Sequence, residues 1–220
     1  MKRLLAIALL LTTACTGTPP PAPSSTPPPS TTTTVPTTTT TTGINAESAP
    51  LKIKSYAIPV DGMAGIGLPT GADDRTAGKW LPPSPCVRSD VEVDHGYYIN
   101  FVRRWEGEKF RADQLVTWFE DKTGAEVIAK IKQDAESCEE YQWNDRTMVV
   151  TAPVTLPQMS DLDASYAVCE GDDYWAICYA LLARGNVVSV ISVDGGLTDL
   201  ELLDKLRIVV PPTAAAIMAG

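Results

Sequence analysis

From Thr16 to Thr42 the chain has no charged residue and almost nothing but Thr, Pro and Ser. Such a stretch buries too little apolar surface to offset the entropy of ordering it, so no core includes it. Its prolines favour extended polyproline II, with a reach approaching ~80 Å at about 3.1 Å per residue. The tract divides the sequence into a short leader and, from about residue 50, one globular segment. That segment is roughly 165 residues, enough for one core and too few for two ordinary domains. The tract's hydroxyls are candidate acceptors for O-linked sugars.

The leader reads as an export signal. Met1-Lys2-Arg3 is a short positive start, and Leu4 to Leu11 is an apolar run. The run is too short to span a bilayer, which takes about 20 apolar residues. Thr12-Thr13-Ala14-Cys15 follows and resembles the lipobox of bacterial lipoproteins, in which the cysteine after the cleavage point carries lipid. The expected organisation is a signal peptide over 1–14, lipidated Cys15 with its tether over 15–49, a domain over 50–212 and a flexible tail over 213–220. Lipidation puts the domain on the extracytoplasmic face of the cell membrane. Without it, the same leader gives a secreted protein.

Cysteine usage fits that compartment. The chain has five cysteines and one histidine. An odd thiol in an oxidising space needs an explanation, and lipid on Cys15 supplies one. The remaining four, Cys86, Cys138, Cys169 and Cys178, allow two disulfides in three connectivities. No C-x-x-C pair is present, so a zinc site is not expected, and no other metal or cofactor is. The formal charge is −9, and loss of Lys2 and Arg3 with the leader takes it to −11. That acidity argues against nucleic acid and against electrostatic attraction to anionic lipid.

Within the domain the pattern predicts strands with two signalled helices. Val91 to Trp105 and Phe110 to Glu120 read as an antiparallel pair around Gly107. Thr123 and Glu126 form a capping box, and Val127, Ile128, Ile131, Ala135 and Cys138 follow as one helical stripe. Strands are predicted over Thr147 to Val154, Ser165 to Glu170 and Tyr174 to Ala183, with turn residues at Gly171-Asp172-Asp173. A hairpin tip at Asp173-Tyr174 sets Cys169 opposite Cys178, where a cross-strand disulfide is feasible. Arg184-Gly185-Asn186 turns the chain into Val187 to Val193. A second capping box, Thr198 with Glu201, opens a helix to about Arg207 with Leu200, Leu203 and Leu206 on one face. Ile208 to Val210 reads as a last strand turn, and Pro211-Pro212 as the stop. The fold class is α+β: a mostly antiparallel sheet, two main helices packed on one face, and two disulfides.

Pro85-Cys86, Phe119 with Ala125, Ser137-Cys138 and the run YWAICYALLARGNVV ending at Val188 carry a family resemblance. In this order they resemble the PknH-like extracellular sensor domain of actinobacterial receptor kinases and lipoproteins, over roughly Leu51 to Ile208. Where that family tends to place a cysteine on the following strand, this chain has Val193-Asp194-Gly195. The pairing expected here is therefore Cys86–Cys138 across the long loop and Cys169–Cys178 within the hairpin.

The function expected is binding of an unidentified ligand or cell-envelope partner, not catalysis. Tyr97, Trp105 and Trp118, with Tyr98 and Trp175 beside them, are candidates for an aromatic groove, although aromatics on strands are usually core. His95 lies in Asp94-His95-Gly96, a turn, and with no second imidazole it builds no Ser-His or Cys-His arrangement. Asp161, Asp163, Asp172 and Asp173 lack the spacing of a calcium loop and read as solvated turns. Gly62, Gly65 and Gly67 lack the flanking strand and helix of a nucleotide loop. The alternative is a wall-acting hydrolase using paired carboxylates such as Glu92, Asp94 and Glu106.

Overall fold

The computed structural model describes residues 45, 47–68, 73–75, 98–143, 145–151 and 153–220. Cys15, the tether, Cys86, His95 and Tyr97 lie outside them, as do Glu92 and Asp94. The described residues begin with a one-turn helix α1 (Ala49–Lys52), followed by two 3-10 turns, Ile53–Tyr56 and Ala64–Ile66. Eight strands follow: β1 (Asp73–Arg75), β2 (Tyr98–Glu106), β3 (Phe110–Phe119), β4 (Glu140–Trp143), β5 (Arg146–Val150), β6 (Ala164–Gly171), β7 (Ala176–Arg184) and β8 (Val187–Gly195). The long helices are α2 (Gly124–Glu136), between β3 and β4, and α3 (Asp199–Ala219) after β8. The strands form one antiparallel sheet in the order β1-β2-β3-β8-β7-β6-β5-β4.

The β6–β7 register follows from the turn at its tip. Cys169 stands opposite Cys178, and the two are joined in a disulfide. The predicted strand pair around Gly107 is β2–β3, closed by the Gly107 amide donating to the Phe110 carbonyl at 3.0 Å. At the other end of β7, Gly185 adopts φ 58°, a left-handed turn conformation that glycine tolerates. Asp163 accepts the Gly185 amide at 2.6 Å and fixes that turn to the start of β6.

Both capping boxes form. The Thr123 hydroxyl accepts the Glu126 amide at 3.2 Å, and Glu126 accepts the Thr123 amide at 2.8 Å. Thr198 and Glu201 repeat the exchange at the start of α3. Helix α2 buries Val127, Ile128, Ile131 and Ala135 as read from sequence, with Cys138 two residues past its end and only half-buried. Each of the larger side chains contributes on the order of 1.5–3 kcal/mol by leaving water. Gly124 permits the close approach: a Cβ there would stand 2.7 Å from the Val187 carbonyl oxygen.

The helices do not share a face. Along β7, Tyr179, Leu181 and Ala183 pack with the α2 stripe, whereas Ala176, Cys178, Ala180 and Leu182 pack with Leu202, Leu206, Val209 and Val210 of α3. Successive strand residues point to opposite faces, so the sheet is sandwiched between α2 and α3. The reading of two helices on one face is corrected accordingly. The α3 side also receives the N-terminal turns, whose Ile58, Met63 and Leu68 are buried against Trp105. The Gly62–Gly67 stretch is thus core-packing turn.

Helix α3 also departs from expectation at its end. Pro211 and Pro212 lie inside it, and the helix runs on to Ala219. A proline removes one amide donor and normally breaks a helix interior. Here the carbonyls that lose their donors belong to Arg207 and Ile208, which are exposed and open to water. The opposite side keeps a buried stripe through Val210, Thr213, Ala214 and Ile217, and packing overrides propensity. The Thr213 hydroxyl donates to the Val209 carbonyl at 2.7 Å. Residues 213–219 are therefore helix, not a flexible tail. The buried face starts at Leu202, while Leu200 is 75% exposed and Leu203 half-buried, so the predicted Leu200–Leu203–Leu206 face is rotated. Among the described residues no helix is long and apolar enough to cross a membrane.

Candidate functional site

The two predicted groove tryptophans are core. Trp105 is 1% exposed and Trp118 2% exposed. The Trp105 indole donates to the Val60 carbonyl at 3.0 Å, and its ring packs under the N-terminal turns. Trp118 packs with Phe101, Val116 and Tyr56. Neither presents a surface to a ligand, because strand positions facing α3 are sealed by the N-terminal turns and that helix. This corrects their expected role.

The exposed aromatic lies in the turn instead. Tyr174 is 91% exposed at the β6–β7 tip. Pairing of Ala176 with Gly195 sets that tip beside the end of β8 and the start of α3. Between them lies an open groove of about 540 Å³, with residues 172–176 on one side and 195–200 on the other. Tyr174 and Leu200 are the exposed apolar side chains of its rim. Trp175 forms part of its wall and is backed by Trp143, with ring centroids 5.5 Å apart.

The tip is held from several directions. One oxygen of Asp172 accepts the amides of Tyr174 and Trp175, both at 2.9 Å. Arg146, from the β4–β5 hairpin, grips Asp172 with Nε and Nη2. The Cys169–Cys178 bridge pins the strands behind. A bidentate guanidinium and two amide donors favour the ionised carboxylate. The side-chain bonds from Arg146 come first in holding the Asp172 carboxyl down, to about 2 from its ordinary 3.8. A depressed folded-state value means stability that is present above pH 3.8 and lost as pH falls through about 2. The expected result is a 13C carboxyl titration of Asp172 with a midpoint near 2, moving back toward 3.8 in Arg146→Ala.

The acids read as solvated turns stand in separate turns. Asp172 and Asp173 sit at the hairpin tip, and Asp163 sits at the far end of the same hairpin on the Gly185 turn. Among the described residues no group of three or more His, Cys, Asp or Glu is placed to hold a metal ion. Of the carboxylates weighed for hydrolysis, Glu106 is described, and it is exposed at the end of β2.

A second polar array crosses β2, β3 and β8 on the α2 face, at the strand ends away from that helix. Arg104 donates to both oxygens of Asp113, at 2.6 and 3.0 Å, and Arg111 donates to Asp194 at 2.6 Å. Burial pushes the Asp194 carboxyl up, and the Arg111 guanidinium opposes that shift. The four charges satisfy one another and fix the strand register.

The structure matches the extracellular domain of PknH. That domain, from Mycobacterium tuberculosis, is 14% identical, with 73% of this chain and 95% of that chain covered at a TM-score of 0.44. An uncharacterized protein of Mycobacterium smegmatis, an Rv0999 ortholog, matches at 13% identity and a TM-score of 0.38. That match covers 56% of this chain and 65% of the other. No family model and no curated protein matches the sequence. At these TM-scores the likeness to PknH bears on neither ligand nor mechanism.

The sequence places Tyr174 at the hairpin tip but not among the candidate groove aromatics, and it puts Leu200 on the buried face of its helix, whereas both are exposed. A signal for Tyr174 was present, since it follows Gly171-Asp172-Asp173 and so falls inside the turn rather than on the strand. Leu200 carried none, because four leucines between 200 and 206 fit more than one helical face.

Proposed function

We propose that this chain is an extracytoplasmic binding module, tethered through lipid on Cys15, whose contact site is the groove under Tyr174. The observation that carries the reading is a fully exposed tyrosine on a turn fixed by Asp172, Arg146 and the disulfide. Tyrosine supplies a large amphipathic contact at low entropic cost, and a rigid turn lowers the cost of binding further. A disulfide within the sheet supports an oxidising compartment outside the cytoplasm. The Thr/Pro tract serves as a spacer between membrane and domain.

Two substitutions test the two halves of the reading. Cys15→Ser is expected to move the protein from the membrane fraction to the medium and to abolish fatty-acid labelling. Membrane retention of that variant, with no label on the wild type, would remove the anchor. Tyr174→Ala should leave the unfolding free energy within about 0.5 kcal/mol, as for other surface changes. The same variant should bind washed cell-envelope material at least ten-fold more weakly, by sedimentation of purified protein. Undiminished sedimentation would place the contact elsewhere.

A further inference from the structure

Resting on the groove under Tyr174 as the contact site, we infer that its ligand is an uncharged glycan whose pyranose rings stack on Tyr174 and Trp175. Aromatic surface is distributed unevenly in this fold. Of the four tryptophans among the described residues, Trp105 and Trp118 are sealed in the core. Trp143 and Trp175 are only half-buried, and they meet where the tips of the β4–β5 and β6–β7 hairpins lie side by side, next to Tyr174. Trp143 braces Trp175 from behind, and Arg146 ties the two tips together through Asp172. Packing alone accounts for Trp143 against Trp175. It does not account for Tyr174, 91% exposed on a turn held by Asp172, Arg146 and a disulfide.

A pyranose presents a face of C–H groups and a rim of hydroxyls. Its C–H face lies on the negative face of an aromatic ring, and its hydroxyls need both donors and acceptors around that ring. Both kinds are present. The Arg146 grip on Asp172 takes Nε and Nη2 and leaves Nη1 as a donor among the described residues. The exposed Asp173 carboxylate is an acceptor, and the Tyr174 hydroxyl serves as either. Charge then sets the class of ligand. Asp172 is answered by Arg146, and Asp199, in the first turn of α3, is offset by the amides of that helix. One exposed carboxylate is too weak a field to select a cation, and an anion meets repulsion in a chain whose formal charge is −9. The groove's volume of about 540 Å³ lies within the roughly 300–1,000 Å³ of small-ligand sites, which suits a short run of sugar units.

The test follows sedimentation of the detergent-solubilised full chain with washed cell envelope, either untreated or extracted with organic solvent and then digested with protease. The second sample is stripped of lipid and protein. The expected result is binding to the stripped envelope within about two-fold of binding to the untreated one. Raising salt from about 0.1 M to 1 M should also leave binding within two-fold, because screening acts on charge. Trp175→Phe, which keeps a stacking face, should bind within about three-fold of wild type. Trp175→Leu, which keeps apolar volume without that face, should bind at least ten-fold more weakly, compared at a temperature where circular dichroism shows both variants folded. Loss of binding on stripping or in high salt, with binding to untreated envelope still weakened by Tyr174→Ala, overturns the uncharged glycan and leaves the groove. Equal binding by the Phe and Leu variants overturns the stacking. Binding that is insensitive to Tyr174→Ala overturns both the glycan and the groove.

Discussion

Removal of residues 213–220 is expected to destabilise the domain by several kcal/mol and lower its urea midpoint sharply. The segment follows two prolines and is rich in small residues, so by sequence it resembles a dispensable tail. In the fold it is the second half of α3. Thr213 and Ile217 are fully buried and Ala214 nearly so, and Ile217 packs with Ala49, Ile53 and Tyr56 of the N-terminal turns. Arg184, at the end of β7, donates to the Met218 carbonyl. Gly220 lies so close to Tyr56 that an added Cβ would come within 2.7 Å of the ring. Truncating a buried Ile to Ala alone costs about 2–5 kcal/mol. Losing the whole segment also exposes the faces it covers. A domain of this size holds only about 5–15 kcal/mol in total, so the truncated form is expected near the edge of folding. Chemical unfolding checks this, with Ile217→Ala as the milder variant. A midpoint unchanged by both would mean that the segment is not packed as described.

Trp105→Ala is expected to cost about 3–5 kcal/mol, as for other buried aromatics cut to alanine. Its ring fills the space between the sheet and the N-terminal turns, and its indole nitrogen anchors the Val60 carbonyl. The same unfolding experiment therefore separates the two aromatic classes of this protein. Trp105→Ala should lower stability severely and disturb binding only through unfolding. Tyr174→Ala should do the reverse. Equal stability of the two variants would contradict the placement of Trp105.

Much of the fold was legible because short-range chemistry specified it. The Gly171-Asp172-Asp173 turn fixed the β6–β7 register, and with it the Cys169–Cys178 pair. Reciprocal side-chain and backbone bonds marked both helix starts. What failed depended on long-range packing. Strand β4, Glu140–Trp143, alternates exposed with half-buried residues over only four positions, too short a pattern to stand out. Placement of α2 and α3 on opposite faces had a sign that went unused. From Ala176 to Ala183 the chain is apolar at every position, the mark of a strand covered on both sides. The continuation of α3 past Pro211-Pro212 had no local sign, since it rests on tertiary burial outweighing two prolines. Of the site, the turn was legible but its partner wall was not, because the Ala176–Gly195 pairing joins segments separated by the whole of β7 and β8.

The most direct test of the groove as contact site is photocrosslinking on intact cells. A photoreactive residue replaces Tyr174 (Tyr174→benzoylphenylalanine), with Gln133→benzoylphenylalanine on the exposed side of α2 as control. The account predicts a discrete crosslinked species from position 174 that is absent from position 133. Equal products from both positions, or product from position 133 alone, would contradict it.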